Sequence, residues 1–266
     1  MEGRGPEAGD RLTGPGTLEA IWLGRRPYRE VLAEQERLVE RRRAGGIPDT
    51  LLLLEHPSTY TLGRRSGEAD RKSLETVPGA EVAEAPRGGR ITWHGPGQLV
   101  AYPIVDLTGI GPQPGGASRA DVAGFVASLE QGMVDSLAGW GVGAAPLEGL
   151  TGIWTGPDGP PRGDGAGLAP AIARGEVRKI GSIGLRVSRG ITSHGISLNL
   201  SCDLGPFDRI EACGIEGCRM TSVQAETGSA PGVEAAGRDF HEALARALGL
   251  EPRLPESGPA DSMTSP

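Results

Sequence analysis

Apolar residues recur at helical spacing in three stretches of this chain, and elsewhere they alternate or run together as in strands. From Tyr28 to Arg43, Val31, Leu32, Gln35, Leu38 and Val39 share one helical face, and Gly45-Gly46 stops the pattern. Val122, Phe125, Val126, Leu129, Met133 and Leu137 form a second stripe. That helix is predicted to begin at Ser118, with Asp121 three residues on as capping partner. A third runs from Val233 to Leu248 with Phe240 and Leu244 inward. The continuous run DTLLLLEH (49–56) reads as a buried strand. Ile91–Trp93 and Gln98–Val105 read as strands on either side of the turn HGPG, and Val177–Val187 as another. In Ile196–Cys202, Ile196, Leu198, Leu200 and Cys202 share one face. Helices and strands mix without regular βαβ repetition, which predicts an α/β chain of the α+β type, a mixed sheet flanked by helices.

The polar stretches set the expected limits. Residues 1–17 read as a flexible leader and 251–266 as a flexible tail, leaving one catalytic domain over 18–250. Within it, GPDGPPRGDGAGLAPAIARGE (156–176) lacks periodicity and is predicted to be a surface insertion between two strands. The 44 glycines and 22 prolines fall mostly in such short stretches. A balance of 27 basic against 34 acidic residues, net −7, argues against a general nucleic-acid or anionic-membrane binder. No apolar signal core and no run near the ~18 residues of a membrane span is present, so no membrane partner and a cytoplasmic location are expected. Cys202, Cys213 and Cys218 have neither metal-ligand spacing nor an even count for disulfides, so no metal is expected.

Chemistry concentrates in three stretches. RGGRITWHGPGQ (87–98) sets four glycines and a proline among arginines, a tryptophan, a histidine and a glutamine. Glycine costs about 0.5–1 kcal/mol against alanine in a regular element, so the cluster marks a tight turn or a backbone that something approaches closely. KIGSIGLRVSRGITSHGISLN (179–199) and FDRIEACGIEGCRMTSV (207–223) are as dense. Cys213, in a segment too polar for core, reads as either a partly buried thiol or a nucleophile; Cys202 fits an apolar strand face. A lysine placed like Lys179 is usually solvated, but folded against Cys213 its ammonium would favour the thiolate. His94 has the company of a residue that orients a reacting group or relays a proton, or of a turn histidine bonded to backbone. His56 and His194 carry the same two readings, and His241 is expected on the surface.

EHPSTYTLGRR, RGGRITWHGPGQLVAYPIVDL, KIGSIGLRVSRGITSHGISLNL, and ACGI followed by MTSV together resemble the octanoyltransferase family of lipoate biosynthesis, in one consistent order between about residues 20 and 225. The resemblance implies a fold shared with biotin and lipoate protein ligases. It implies transfer of an octanoyl group from octanoyl-acyl carrier protein to a specific lysine on lipoyl domains of 2-oxoacid dehydrogenase complexes and the glycine cleavage H protein, with no cofactor. By motif position it makes Cys213 the acyl-thioester nucleophile and Lys179 the residue that lowers its pKa, with His94 the third catalytic candidate. Arg87, Gly88, Gly89, Arg90, Ile91, Thr92, Trp93 and His94 would line the substrate site, completed by Ser182, Ile183, Gly184, Gly195, Ile196 and Ser197. Ala212 stands where the family often has proline, Gly181 where it has alanine or a similar small residue, and the 156–176 insertion is longer than usual.

Thioester exchange needs no ATP if the donor is already activated. It needs a thiolate, an oxyanion site and a deprotonated amine. Gly88-Gly89 and the strand at Ser182–Gly184 are the two candidates for the oxyanion site. At about 0.8 kcal/mol per methylene, an octanoyl tail gains roughly 5 kcal/mol over acetyl by burial. Ile91, Trp93 and His94 are expected to wall it. GRRSGEADRK (63–72), with Arg64, Arg65, Arg71 and Lys72, is the candidate docking surface for acidic partners. The alternative activity is that of an ATP-dependent lipoate or biotin protein ligase, which needs no cysteine.

Overall fold

The computed structural model describes residues 16–72, 74–108, 121–211 and 217–254. Ser118, Cys213, the leader through residue 15 and the tail from residue 255 lie outside them. In chain order the elements are β1 (Thr17–Arg25), α1 (Tyr28–Arg43), β2 (Asp49–Glu55), β3 (Thr59–Leu62), α2 (Glu68–Lys72), β4 (Glu81–Glu84), β5 (Ile91–His94), β6 (Gln98–Ile104), α3 (Val122–Gly139), β7 (Ala145–Leu147), β8 (Leu150–Thr155), α4 (Gly165–Ala173), β9 (Arg178–Ser188), β10 (Ile191–Asn199), α5 (Val223–Thr227), α6 (Val233–Leu248) and β11 (Glu251–Arg253). A 3₁₀ turn spans Gly205–Arg209.

Eight strands form a mixed sheet in the order β11-β1-β2-β6-β10-β9-β8-β7, and β4-β3-β5 form a second, smaller sheet. Helices α3 and α6 pack on one face of the large sheet over Leu18, Leu51, Leu53, Leu99, Ile196 and Leu198. On the other face, α1 covers Leu52, Leu54, Val100, Tyr102 and Ile104. The run DTLLLLEH is continuously apolar because its leucines feed both layers in alternation. Helix α1 keeps its predicted bounds, buries Tyr28, Val31, Gln35 and Leu38, and places Arg41, Arg42 and Arg43 in its last turn, favourable against the negative end of the helix dipole.

Several expectations change. The cap of α3 is Asp121 itself, whose carboxylate accepts from Gly124 N at 2.9 Å. Val122, at the first helical position, is 40 % exposed, while Phe125, Leu129, Met133 and Leu137 are buried. β5 and β6 flank HGPG as expected, but they do not pair with each other. β5 pairs with β3 in the small sheet and β6 with β2 and β10 in the large one, so the chain changes sheets at Gly95–Gly97. The segment 156–176 contains α4, capped by Asp164 accepting from Gly167 N at 2.6 Å. Its glycines and Pro170 hide two apolar positions four apart, Leu168 and Ile172, which pack with Leu147, Trp154 and Val177. β10 starts at Ile191 and ends at Asn199; Leu200 stays in the main core, but Cys202 joins Tyr60, Leu62, Ile91, Trp93 and Phe207 beneath the small sheet. His241 is buried, not on the surface, and its Nε2–H donates to the Leu18 carbonyl at 2.7 Å. Thr17 and Glu251–Arg253 leave the predicted leader and tail, since β11 pairs in parallel with the start of β1.

Candidate active site

The floor of the site is laid by β9 and β10. Their antiparallel register opposes Ser197 to Ser182 and Gly195 to Gly184. Small side chains at successive cross-strand positions leave a trough. A Cβ on Gly195 would stand 2.2 Å from the Ala101 carbonyl oxygen, so the backbone packing there requires glycine. Over the trough hang the RGG loop and β5. Between them is a cavity of about 480 Å³, a size usual for small-molecule sites.

The loop is stapled by its own arginine. Nη2 of buried Arg87 donates to the Thr61 carbonyl (2.8 Å) and hydroxyl (2.7 Å), and Nη1 donates to the carbonyls of Gly88 and Arg90, both at 2.9 Å. Gly88 N donates to the Leu185 carbonyl at 2.8 Å, which ties the loop to β9 and removes that amide from the oxyanion candidates. Gly89 has φ +85°, and a Cβ on neighbouring Gly63 would lie 2.4 Å from the Gly89 oxygen. The glycines thus allow close backbone approach, in part of loop to loop.

Of the predicted lining residues, Arg87, Gly89, Arg90, Ile91, Thr92, His94, Ser182, Ile183, Gly184, Gly195, Ile196 and Ser197 border the cavity together with Lys179. Trp93 does not. Strand alternation turns it under the small sheet, edge-on to Phe207 with ring centroids 5.4 Å apart, and its Nε1–H donates to the Ser58 hydroxyl at 2.9 Å. Gly88 also lies off the lining.

Lys179 is 3 % exposed rather than solvated. Its Nζ donates to the Thr151 carbonyl at 2.7 Å and lies 5.3 Å from the centre of the Trp154 ring. Gly152 makes room for it, because a Cβ there would meet Lys179 Cε at 2.5 Å. The backbone of Lys179 is bonded on both sides to the segment after Cys213: Lys179 N donates to the Arg219 carbonyl and Thr221 N to the Lys179 carbonyl, both at 2.9 Å. Glu211, two residues before Cys213 in the chain, accepts from Arg90 Nη2 at 3.4 Å at the cavity edge. Cys213 itself lies outside the described residues. Burial pushes the Cys202 thiol up to about 12, which makes it a poor nucleophile.

A polar aromatic wall was not anticipated. Tyr28, Tyr102, His94 and His194 line one part of the cavity, with His56 among them. His56 Nδ1–H donates to the Arg26 carbonyl at 2.7 Å, so its Nε2 accepts from the Tyr102 hydroxyl at 2.9 Å. Tyr28 Oη and His194 Nε2 are 3.3 Å apart. Burial lowers the pKa of His56 to about 4 and those of His94 and His194 to about 3, and positive neighbours such as Arg87 add to the last two shifts. All three are neutral at pH 7. His194 has φ +57°, a conformation that costs on the order of 1–3 kcal/mol for a residue with a side chain. It brings the ring to Tyr28 and Tyr102, whereas its cross-strand partner Leu185 packs on the main core. The signal for this wall was partial: the histidines stand out in the sequence as either site or turn residues, but nothing there brings Tyr28 and Tyr102 to them.

At the rim, Arg64 and Arg65 are exposed, Arg65 bordering the cavity. Arg71 forms a bidentate pair with Glu84 instead, and Arg90 pairs with Asp70 at 2.6 Å. The Lys72 side chain lies outside the described residues.

Residues 27–248 match the family model of the lipoyl protein ligase A/B catalytic domain. An octanoyltransferase of Mycolicibacterium gilvum is 42 % identical over 221 residues, 83 % of this chain and 81 % of that protein. The chain belongs to that family, among its octanoyltransferases. It is therefore an acyltransferase. An octanoyltransferase of Thermobifida fusca is likewise 42 % identical, over 80 % of this chain and 81 % of its own length. The fold is that of lipoate protein ligases. A putative lipoate protein ligase from T. acidophilum superimposes with a TM-score of 0.63 at 15 % identity, over 91 % of this chain and 88 % of its own. A lipoate-protein ligase A bound with ATP gives 0.62 at 16 %, over 92 % and 90 %.

Proposed function

We propose that this enzyme moves an octanoyl group from the thioester of acyl carrier protein to the ε-amine of a lysine on lipoyl domains, through a thioester on Cys213. The observation that carries this reading is the buried Lys179 ammonium at the edge of a cavity whose floor is paved with glycine and serine, backbone-bonded to the segment that follows Cys213 in the chain. An ammonium beside a thiol favours the thiolate. The thiolate attacks the donor's thioester carbon, the tetrahedral oxyanion collapses, and the carrier's thiol leaves with a proton that Lys179 is placed to supply. The neutral amine of Lys179 then takes a proton from the incoming lysine as its nitrogen attacks the Cys213 thioester, and the thiolate leaves. Octanoyl transfer, rather than another acyl length, is supported by the names of relatives at about 42 % identity over most of both chains. A lipoyl domain as acceptor accords with the family to which the matched residues belong.

The test is mass spectrometry of the full chain incubated with octanoyl-acyl carrier protein. A single octanoyl adduct on Cys213 is expected in the wild type, discharged by a lipoyl domain and absent in Cys213→Ser. Formation of an acyl-adenylate from ATP and free octanoate, with no protein adduct, would replace this reading by that of a ligase.

A further inference from the structure

Gln98 and Asn199 face each other across β6 and β10 and carry the two side-chain amides at the centre of a buried hydrogen-bond chain. Carbonyl oxygens, which only accept, fix both orientations. Asn199 Nδ2 lies 2.9 Å from the Thr221 carbonyl, so nitrogen is at that end and Oδ1 faces Gln98. Gln98 Nε2 lies 3.3 Å from the Trp93 carbonyl and 2.9 Å from Asn199 Oδ1, so it donates to both. A flip of either amide would set oxygen against oxygen. Gln98 Oε1 therefore faces His94 Nδ1 at 2.7 Å as an acceptor, and the proton of His94 sits on Nδ1. His94 Nε2 keeps its lone pair and lies 3.4 Å from the Thr61 hydroxyl, whose oxygen already accepts from Arg87 Nη2. Every donation runs one way, from the Arg87 guanidinium through Thr61, His94, Gln98 and Asn199 to the Thr221 carbonyl. Bonds aligned in this way polarise one another, and the cation at the head strengthens the effect.

We infer that Gln98 and Asn199 are positioning residues of the acyl-transfer site: they hold His94 as the Nδ1–H tautomer, a pure hydrogen-bond acceptor at Nε2, and clamp the segment paired with Lys179 to the opposite cavity wall. This deepens the proposed function and rests on it for the word transfer. Two consequences follow. With Nδ1–H committed to Gln98 and Nε2 facing the Thr61 hydroxyl, His94 cannot donate to a tetrahedral oxyanion, so that task falls to other donors of the cavity. Thr221 N also donates to the Lys179 carbonyl, so the chain ends on the residues that set the height of the Lys179 side chain.

The deciding experiment is the ¹⁵N–¹H correlation spectrum of the histidine rings in the full-length protein at pH 7. His94 is expected to show a protonated Nδ1 and a bare Nε2. In Gln98→Met the opposite tautomer should become populated, and in Asn199→Asp the turnover of acyl transfer should fall roughly 10²-fold, as misplacement of a reacting group typically costs, with the donor KM changed less than about threefold. A wild-type His94 carrying its proton on Nε2 overturns the inference, whatever the variants do. So does Asn199→Asp with unchanged turnover. Absence of the Cys213 adduct in the wild type counts against the proposed reaction alone, since the tautomer is read without substrate.

Discussion

The Lys179 ammonium donates to the Thr151 carbonyl at 2.7 Å while lying against Trp154, so a buried cation is held in place by a neutral carbonyl and an aromatic face. An aromatic face attracts a cation, and together with the carbonyl it fixes where the Lys179 charge sits beside the cavity. Replacing Lys179 by methionine keeps the packing and removes the charge. The rate of octanoyl adduct formation on Cys213 is expected to fall by about 10²–10⁴-fold, the span typical of general acid–base groups. Quenched-flow mass spectrometry reads it, and a rate within threefold of wild type would remove Lys179 from the mechanism.

Gly63→Ala tests the close approach of two loops. The new Cβ would be driven against the Gly89 oxygen at 2.4 Å and Arg87 Nη1 at 2.7 Å, and neither the backbone nor a guanidinium with four hydrogen bonds yields easily. Overpacking of this kind costs about 1–3 kcal/mol. Urea unfolding should show that loss of stability, with adduct formation impaired in the protein that remains folded.

Stability should rise with pH between about 4 and 6.5. His56, His94 and His194 have folded-state pKa values of about 4, 3 and 3, below the 6.5 of an unfolded histidine. In this window the unfolded chain binds more protons, so acid favours unfolding. Full stability from these groups is present above 6.5 and is lost as pH falls toward their folded values. Each contributes a slope approaching about 1.4 kcal/mol per pH unit. Urea midpoints at pH 7.5, 6 and 5 measure it, and His94→Gln should reduce the slope by about one proton. A flat profile from pH 7 to 5 would show the imidazoles to be less desolvated than their burial implies.

Reversing the charges of Arg64 and Arg65 is expected to raise the KM for octanoyl-acyl carrier protein several-fold at low salt, with the effect fading as salt screens it. Arg71→Glu should do less, because Glu84 already neutralises Arg71. Equal effects at Arg64, Arg65 and Arg71 would point to a diffuse field instead of a docking surface.

The helices with unbroken apolar stripes were legible to the residue: α1 and α6 begin and end where their patterns do. Of the large sheet, β2, β6, β9 and β10 were legible, whereas β1, which feeds Leu18 and Ala20 to one layer and Ile21 and Leu23 to the other, was not read as a strand, nor were the short β7 and β8. What escaped was set by contacts remote in sequence. Nothing near His241 announces that Leu18, over two hundred residues away, supplies its acceptor. The alternation that sends Trp93 away from the cavity was visible, but a short strand gives no sign of which side is wet. Helix α4 was hidden because glycine and proline punctuate the segment around it and its packed positions, Leu168, Ala171 and Ile172, are too few to give a stripe. The wall of histidines and tyrosines comes from four separate segments, and the left-handed backbone at His194 that completes it has no local signature.

The chain crosses between the two sheets twice, after Glu55 and again at Gly95–Gly97, and the crossings are stitched together where Gly97 N donates to the Glu55 carboxylate at 2.7 Å. The cavity is thus a seam between two separately paired bodies, with the trough on one and the overhanging loop on the other. Its width is governed by how these bodies dock as much as by any single lining side chain. Substitutions at the stitch would then retune which acyl lengths fit by tilting a whole sheet.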